Sequence, residues 1–253
     1  MLFGIFTESS ELQSGIKTFR DGGITIARHR YNGKEIMLAF DHGPLGFAPL
    51  AAHGHADALA IWLHIDGQPV LADAGTYLYH AVGKRRGFFR GTAAHNTVCM
   101  DKTDASAMSG NFNWTRKAAA TLISSEYGKE EWHIEAVHDG YKEMLGITHH
   151  RLLKINPATG FLVEDMLIGK QPRHVDIGFL IHPLLTLIQE QNSFKVMKEN
   201  QPLIRITHLG SLAAAIENSW HAPRFGKKIP AQRLVFSGTL ALEQKAITKF
   251  TYL

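Results

Sequence analysis

The chain has 253 residues, 45% hydrophobic and 20% charged, with 23 Gly and 9 Pro, which excludes collagen-like, low-complexity and intrinsically disordered classes. A single cysteine, Cys99, against 15 histidines excludes a disulfide scaffold and a thiolate zinc finger, so any metal must be held by imidazole and carboxylate. The formal net charge of +4 is spread along the chain and permits an anionic partner without demanding one.

The first residues, MLFGIFTESSELQSG, lack a basic n-region, and their apolar run is too short for a signal peptide. From there the pattern is one of short strands between turns. Ile24 to Arg30 alternates, and so does Glu35 to Phe40 after the turn Asn32-Gly33. Leu59 to Ile65, Asp66-Gly67 and Gln68 to Ala72 read as a hairpin. Strands are predicted at Thr92 to Met100, Trp132 to His138, Ile147 to Ile155 and Phe161 to Ile168, the last two joined by Asn156-Pro157-Ala158-Thr159-Gly160. The second half continues with Val175 to Leu180, Leu203 to His208, Leu212 to Glu217, Arg233 to Ser237 and Ala246 to Tyr252. The longest apolar run, Ile177 to Ile188, is broken by His182 and Pro183, and no stretch approaches the roughly 20 apolar residues of a membrane helix. There is no internal repeat or linker. The predicted fold is all-β, a large antiparallel multi-sheet β-sandwich with little helix, formed by residues 1–253 as one domain.

Three segments could carry chemistry. In AAHGHAD, His53 and His55 project from one face if the backbone is extended. They are either a metal pair, one ligand beside an acid/base group, or two loop histidines that pack locally. In VLADAGTYLY, Asp73 ends an apolar run, where a carboxylate is costly unless paired or metal-bound, or else it caps the turn made by Gly75. In RGTAAHNTV, His95 lies in a segment that should be buried, as a ligand or as a satisfied core histidine. Together, one His of the pair, one Asp and a further His make an N/N/O set suited to zinc. Asp57, Asn96 or Thr97 would be available to fix the imidazole tautomers.

HGHADAL, then DGQPVLADAGTYLY, then FRGTAAHNTV resemble, in order and spacing, the C-terminal β-sandwich domain of the heparinase II/III-like polysaccharide lyases. Related alginate lyases share that sandwich. FLIHP (Phe179 to Pro183) and SWHAPRFGKKIPAQRL (Ser219 to Leu234) fit as well, so the resemblance covers most of the chain. It implies a polysaccharide lyase that cleaves uronate-containing acidic glycans, such as glycosaminoglycans or alginate, by β-elimination. His55, Asp73 and His95 would hold one zinc ion, mainly architectural. His53 would be catalytic, and Tyr79 is the nearest match to a catalytic Tyr that some members carry after the Asp. Imidazole suits such a role because it changes charge between pH 5 and 8. The family's N-terminal α/α toroid, which supplies further essential residues, has no counterpart before the first strands, so this chain alone is expected to be inactive or nearly so. A homo-oligomer stays open, and full-length relatives that act on external glycans imply a periplasmic or secreted setting.

Lys84-Arg85-Arg86-Gly87-Phe88-Phe89-Arg90 is the densest basic run. It reads either as a clamp on glycan carboxylates or sulfates through Arg86 and Arg90, or as a solvated loop. No nucleic-acid motif accompanies it. Two other classes compete with the lyase. A non-catalytic module that binds acidic carbohydrate, or serves assembly, would keep the same fold. A cupin-type metal oxygenase is disfavoured because Leu59 and Ala60 stand where a Glu should follow the HxH pair. The remaining histidines, together with Trp62, Trp114, Trp132, Trp220 and Cys99, are read as packing or surface residues, the tryptophans also as sugar-stacking surface.

Overall fold

A computed structural model describes residues 14–47, 49–80 and 84–253, with the Lys84 and Arg85 side chains left out. The reading of the N-terminus as free of a signal therefore falls outside the described residues, as do the first two basic side chains of the 84–90 run.

The chain opens with β1 (Gly15–Phe19), β2 (Ile24–Tyr31), β3 (Lys34–Asp41), β4 (Ile61–Ile65) and β5 (Gln68–Leu71). A long excursion follows, with α1 (Lys84–Arg90) and a 3-10 turn at Thr92–Ala94, before β6 (Val98–Met100). Next come β7 (Ala107–Met108), β8 (Trp114–Arg116), β9 (Ala120–Tyr127), β10 (Trp132–His138), α2 (Lys142–Leu145), β11 (Thr148–Asn156), β12 (Gly160–Ile168) and β13 (Arg173–Ile181). The chain ends with β14 (Thr186–Gln189), β15 (Phe194–Lys198), β16 (Gln201–Leu209), β17 (Ala213–Arg224), β18 (Lys227–Leu240) and β19 (Lys245–Tyr252).

The strands form an antiparallel nine-stranded sheet, β1-β2-β3-β4-β5-β13-β18-β17 with β6 also on β13, and an eight-stranded sheet, β14-β15-β16-β19-β12-β11-β10-β9. A small β7-β8 pair lies apart. This is the all-β sandwich that the alternating pattern predicts. Inward positions are apolar: on β10, Trp132, Ile134 and Ala136 are buried while His133 and Glu135 are not. The sheets meet through aromatic rings, with Phe179 of β13 against Phe250 of β19 at 5.1 Å and Phe250 stacked on Phe161 at 4.4 Å. The turns at Asn32-Gly33 and Asp66-Gly67 have positive φ at both residues (48° and 80°, 49° and 70°), the geometry that joins strands by two-residue loops.

Two sequence expectations are corrected. Thr92 to Met100 is not one strand. The Thr92 N–H donates to Asp104 and its hydroxyl to the Ala56 carbonyl, which holds a 3-10 turn and leaves only Val98–Met100 in the sheet. The 84–90 run is a short helix rather than a loop.

One irregularity positions everything that follows. β5 and β6 are two pieces of one ladder against β13, Leu71 opposite Ile181 and Val98 opposite Ile177. Residues 72–80 and 84–97 lie in the excursion between them. The gap is bridged by the Asn96 side chain, whose amide donates to the carbonyls of Ile61 (2.8 Å) and Ala72 (2.9 Å) and whose oxygen accepts from Leu180 N–H (2.7 Å). A buried amide thus replaces the strand bonds that the excursion removes.

Candidate functional site

The mouth of this excursion gathers the predicted metal ligands. His55 lies on the turn between β3 and β4, Asp73 just after β5, and His95 directly after the 3-10 turn. One ligand atom from each lies within 4.8 Å of the other two. His95 is fully buried, and its Nδ1–H donates to Asp73 Oδ2 at 2.6 Å. The His95 Nε2 is buried with no hydrogen-bond partner. Two imidazoles and a carboxylate that converge from three separate segments fit a zinc ion, with room in the coordination for one further ligand.

Electrostatics follow from the crowding. Burial opposes charge on His95, but Asp73, Asp57 and Asp104 raise its pKa to about 9. Burial also works against the Asp73 carboxylate, yet the His95 charge, their hydrogen bond and the Gly75 N–H (2.7 Å) hold it well below the usual range. Burial and the like charge of His95 push His55 down to about 3, so it is the neutral imidazole of the pair. Beside them, burial and the neighbouring acids push Asp41 up to about 7 and Asp57 up to about 6.

The HGH segment is not an extended strand: His53 lies in a turn closed by the Gly54 N–H on the Ala51 carbonyl at 2.9 Å, and His55 follows that turn. His53 and His55 therefore do not share a face. The His55 ring is 5.2 Å from His95, while the exposed His53 ring rests edge-on against Tyr79 (5.1 Å) and Phe112 (6.0 Å). The residues assigned to chemistry, His53 and Tyr79, thus touch each other outside the ligand cluster. A cupin site would draw both histidines of the pair to the metal.

Arg86 and Arg90 need a different account from a glycan clamp. They are 3% and 1% exposed. Arg90 donates to the carbonyls of Gly110 and Asn111 (2.8 Å each) and Gly54 (3.3 Å), and lies over the Trp114 ring. Arg86 donates to Asn111 (2.5 Å), Ala52 (3.3 Å) and Leu78 (3.4 Å), with its guanidinium over Tyr79 and Phe112. Arg90 Nη2 is buried without a partner, and the N–H groups that are bonded all go to backbone carbonyls, so the two arginines buckle the His53 turn to its neighbours. Asn96 and Thr97 likewise bond backbone, Thr97 to the Ala58 carbonyl, rather than an imidazole.

Sequence reasoning left His221 without a role. Its Nδ1–H donates to the Asp73 carbonyl at 2.7 Å, and the Ala222 N–H donates to Ala74 at 2.7 Å, so β17 docks along the Asp73 loop. Gly75 permits this approach at φ 74°, since a Cβ there would sit 2.4 Å from the Ala222 oxygen. The only signal was that His221 falls in SWHAPRFGKK, and a lone strand histidine has no spacing partner.

A family model described as heparinase II/III-like, C-terminal, matches residues 12–249. Among solved structures, heparinase III is similar at 17% identity and TM-score 0.77, over 94% of this chain and 37% of that one. Heparan sulfate lyase HepC from Pedobacter heparinus is similar at 17% identity and TM-score 0.74, over 94% and 36%. A 4-alpha-glucanotransferase from Thermococcus litoralis is similar at 9% identity and TM-score 0.50, over 95% and 40%, so a similar sandwich occurs in a protein named for a different activity. The chain spans a little over a third of the length of the first two. A comparison with curated proteins found no match. No helix among the described residues is long and apolar enough to cross a membrane.

Proposed function

The chain belongs to the heparinase II/III-like C-terminal family, and on that premise we propose that it is the zinc-bearing sandwich portion of a polysaccharide lyase that cleaves uronate-containing acidic glycans by β-elimination. The observation that carries this reading is the convergence of His55, Asp73 and His95 beside an exposed His53–Tyr79 pair. Zinc bound by these three ligands would cross-link the segments and fix the loops around them.

In the elimination, a base takes the C5 proton of the uronate, the electron pair forms the C4–C5 double bond, and the C4–oxygen bond breaks. The leaving oxygen takes a proton. Negative charge gathers on the carboxylate as C5 loses its proton, and a positioned imidazole stabilises it. His53 is exposed and held in place by the Arg86 and Arg90 buckles, and Tyr79 sits against its ring. The rest of the machinery would come from a helical toroid, so this chain alone is expected to be inactive.

The test is elimination on heparan sulfate by the 253-residue chain, alone and together with a helical toroid portion, read as unsaturated uronate. Turnover only in combination supports the proposal. Robust turnover by the chain alone overturns the division of labour, and no turnover on any uronate glycan in combination overturns the lyase reading.

A further inference from the structure

The hairpin of β17 and β18 turns at Phe225-Gly226 with φ 76° at Gly226. Arg224, Lys227 and Lys228 surround that turn, and no acidic residue lies between Asn218 and Leu234. None of the three appears in an ion pair among the described residues. Lys228 is nonetheless fixed: its ammonium lies 3.6 Å from the Trp220 ring centroid and 5.7 Å from that of Tyr77. An indole face is the strongest aromatic partner for a cation, and it orders the side chain without neutralising it. Trp220 is 36% and Phe225 56% exposed, so charge and apolar ring lie together on the surface.

The hairpin is also tied to the site. Gly226 N–H donates to the Tyr77 carbonyl at 2.8 Å, and the Phe225 ring lies 5.1 Å from Tyr79, which itself lies 5.1 Å from His53. A continuous row of rings runs from His53 to the hairpin tip, and cations flank its outer end.

We propose that this tip is a subsite for an anionic sugar unit next to the one held at His53. Lys228 receives the carboxylate or sulfate, Lys227 and Arg224 beside the turn add positive charge, and Phe225 packs against the sugar face. Because Lys228 is ordered before the ligand arrives, anion binding there loses less side-chain entropy than at a free surface lysine. The inference rests on the lyase reading only for which glycan class passes His53; the cation–aromatic geometry stands independently of it.

Calorimetric titration of the full chain with a heparan sulfate hexasaccharide tests it. Lys228→Gln should weaken binding about fivefold to tenfold, and the triple variant Arg224→Gln/Lys227→Gln/Lys228→Gln about thirtyfold or more, with unchanged melting temperatures. Lys198→Gln, an exposed lysine on β15, should bind like the parent. Trp220→Leu should lose part of the affinity with Lys228 still present, which a simple charge count would not produce. Carboxyl-reduced and desulfated hexasaccharides distinguish the two anions, and the arm that abolishes the Lys228 effect identifies the group bound. Parent-like binding by both the Lys228 and triple variants overturns the subsite, and so does an equal loss in Lys198→Gln or a parent chain that does not bind. A parent chain that binds in the predicted pattern yet supports no elimination with a toroid portion overturns the lyase reading and leaves the subsite standing.

Discussion

Arg151, on the eight-stranded sheet, donates from Nη1 to the main-chain carbonyl of Asn96, the residue after His95, at 2.7 Å. The same nitrogen donates to the Leu59 carbonyl at 2.7 Å. Its other face grips Asp165 through Nε and Nη2 at 2.7 and 3.0 Å, and both side chains are fully buried. Behind them, Gly140 N–H donates to His138, His138 to His149, and His149 to Asp165, a chain that fixes both histidines as neutral tautomers. The second sheet thus reaches across the core to hold the segments next to His55 and His95.

Arg151→Met should therefore cost about 3–5 kcal/mol in urea denaturation, since it leaves Asp165 buried and uncompensated. Arg151→Met/Asp165→Asn, which removes the charge and keeps an acceptor for the His149 N–H, should recover a good part of that loss. A double variant no more stable than the single one would mean that the backbone contacts, not the charge pair, carry the energy.

Asp73→Asn should lose bound zinc while the parent carries about one ion per chain by metal analysis. Chelation of the parent should lower its melting temperature and leave that of Asp73→Asn in place, because a ligand that binds only the fold stabilises it by mass action. A parent chain purified from zinc-supplemented culture with no metal would refute the assignment of His55, Asp73 and His95.

His53→Ala should behave oppositely. The ring is exposed and outside the ligand cluster, so zinc content should be unchanged and stability should shift by no more than about 0.5 kcal/mol. Elimination by the chain combined with a toroid portion should collapse. A variant that loses zinc would place His53 among the ligands instead.

Much of this was legible in the sequence because it is local. Strand alternation and Asn-Gly or Asp-Gly turns gave the sandwich, and Trp132–His138 falls where its pattern puts it. His55, Asp73 and His95 were identified through the resemblance and lie together in the structure. What stayed hidden depends on tertiary contact. β9, ATLISSEY, is half exposed along its length and shows no clean apolar face. Arg86 and Arg90 carry charges that a linear reading sends to solvent, whereas carbonyls distant in sequence bury them. The turn closed by the Gly54 N–H on the Ala51 carbonyl carries His53 and leaves His55 beyond it, although period-two geometry would keep them on one face.

Gly75→Ala should destabilise the chain by roughly 1–3 kcal/mol, because the position combines φ 74° with a Cβ site 2.4 Å from the Ala222 oxygen. The larger effect should be local. Amide hydrogen exchange should accelerate at Ala222 and Gly226, whose N–H groups bond the 74–77 loop, before the sheet cores respond. Uniform acceleration across both sheets would show that the hairpin and the sandwich open as one unit.

His29 gives the sandwich an acid-sensitive point away from the His55, Asp73 and His95 cluster. It lies on β2 with both ring nitrogens buried and unpartnered, its ring 5.6 Å from Trp132 and 5.4 Å from Tyr252 of the facing sheet. Burial lowers its pKa from 6.5 to about 4. The unfolded chain therefore binds this proton at higher pH than the folded one, and stability rises with pH between these values. The contribution is fully present above about pH 6.5 and is lost as pH falls through 4, up to about 3 kcal/mol at roughly 1.36 kcal/mol per pKa unit. His29→Phe keeps an aromatic ring between the sheets and removes the titrating group. In urea denaturation followed from pH 7 to pH 4, that variant should lose less stability than the parent by about this amount. Parallel curves would show that the acid sensitivity of the fold lies elsewhere.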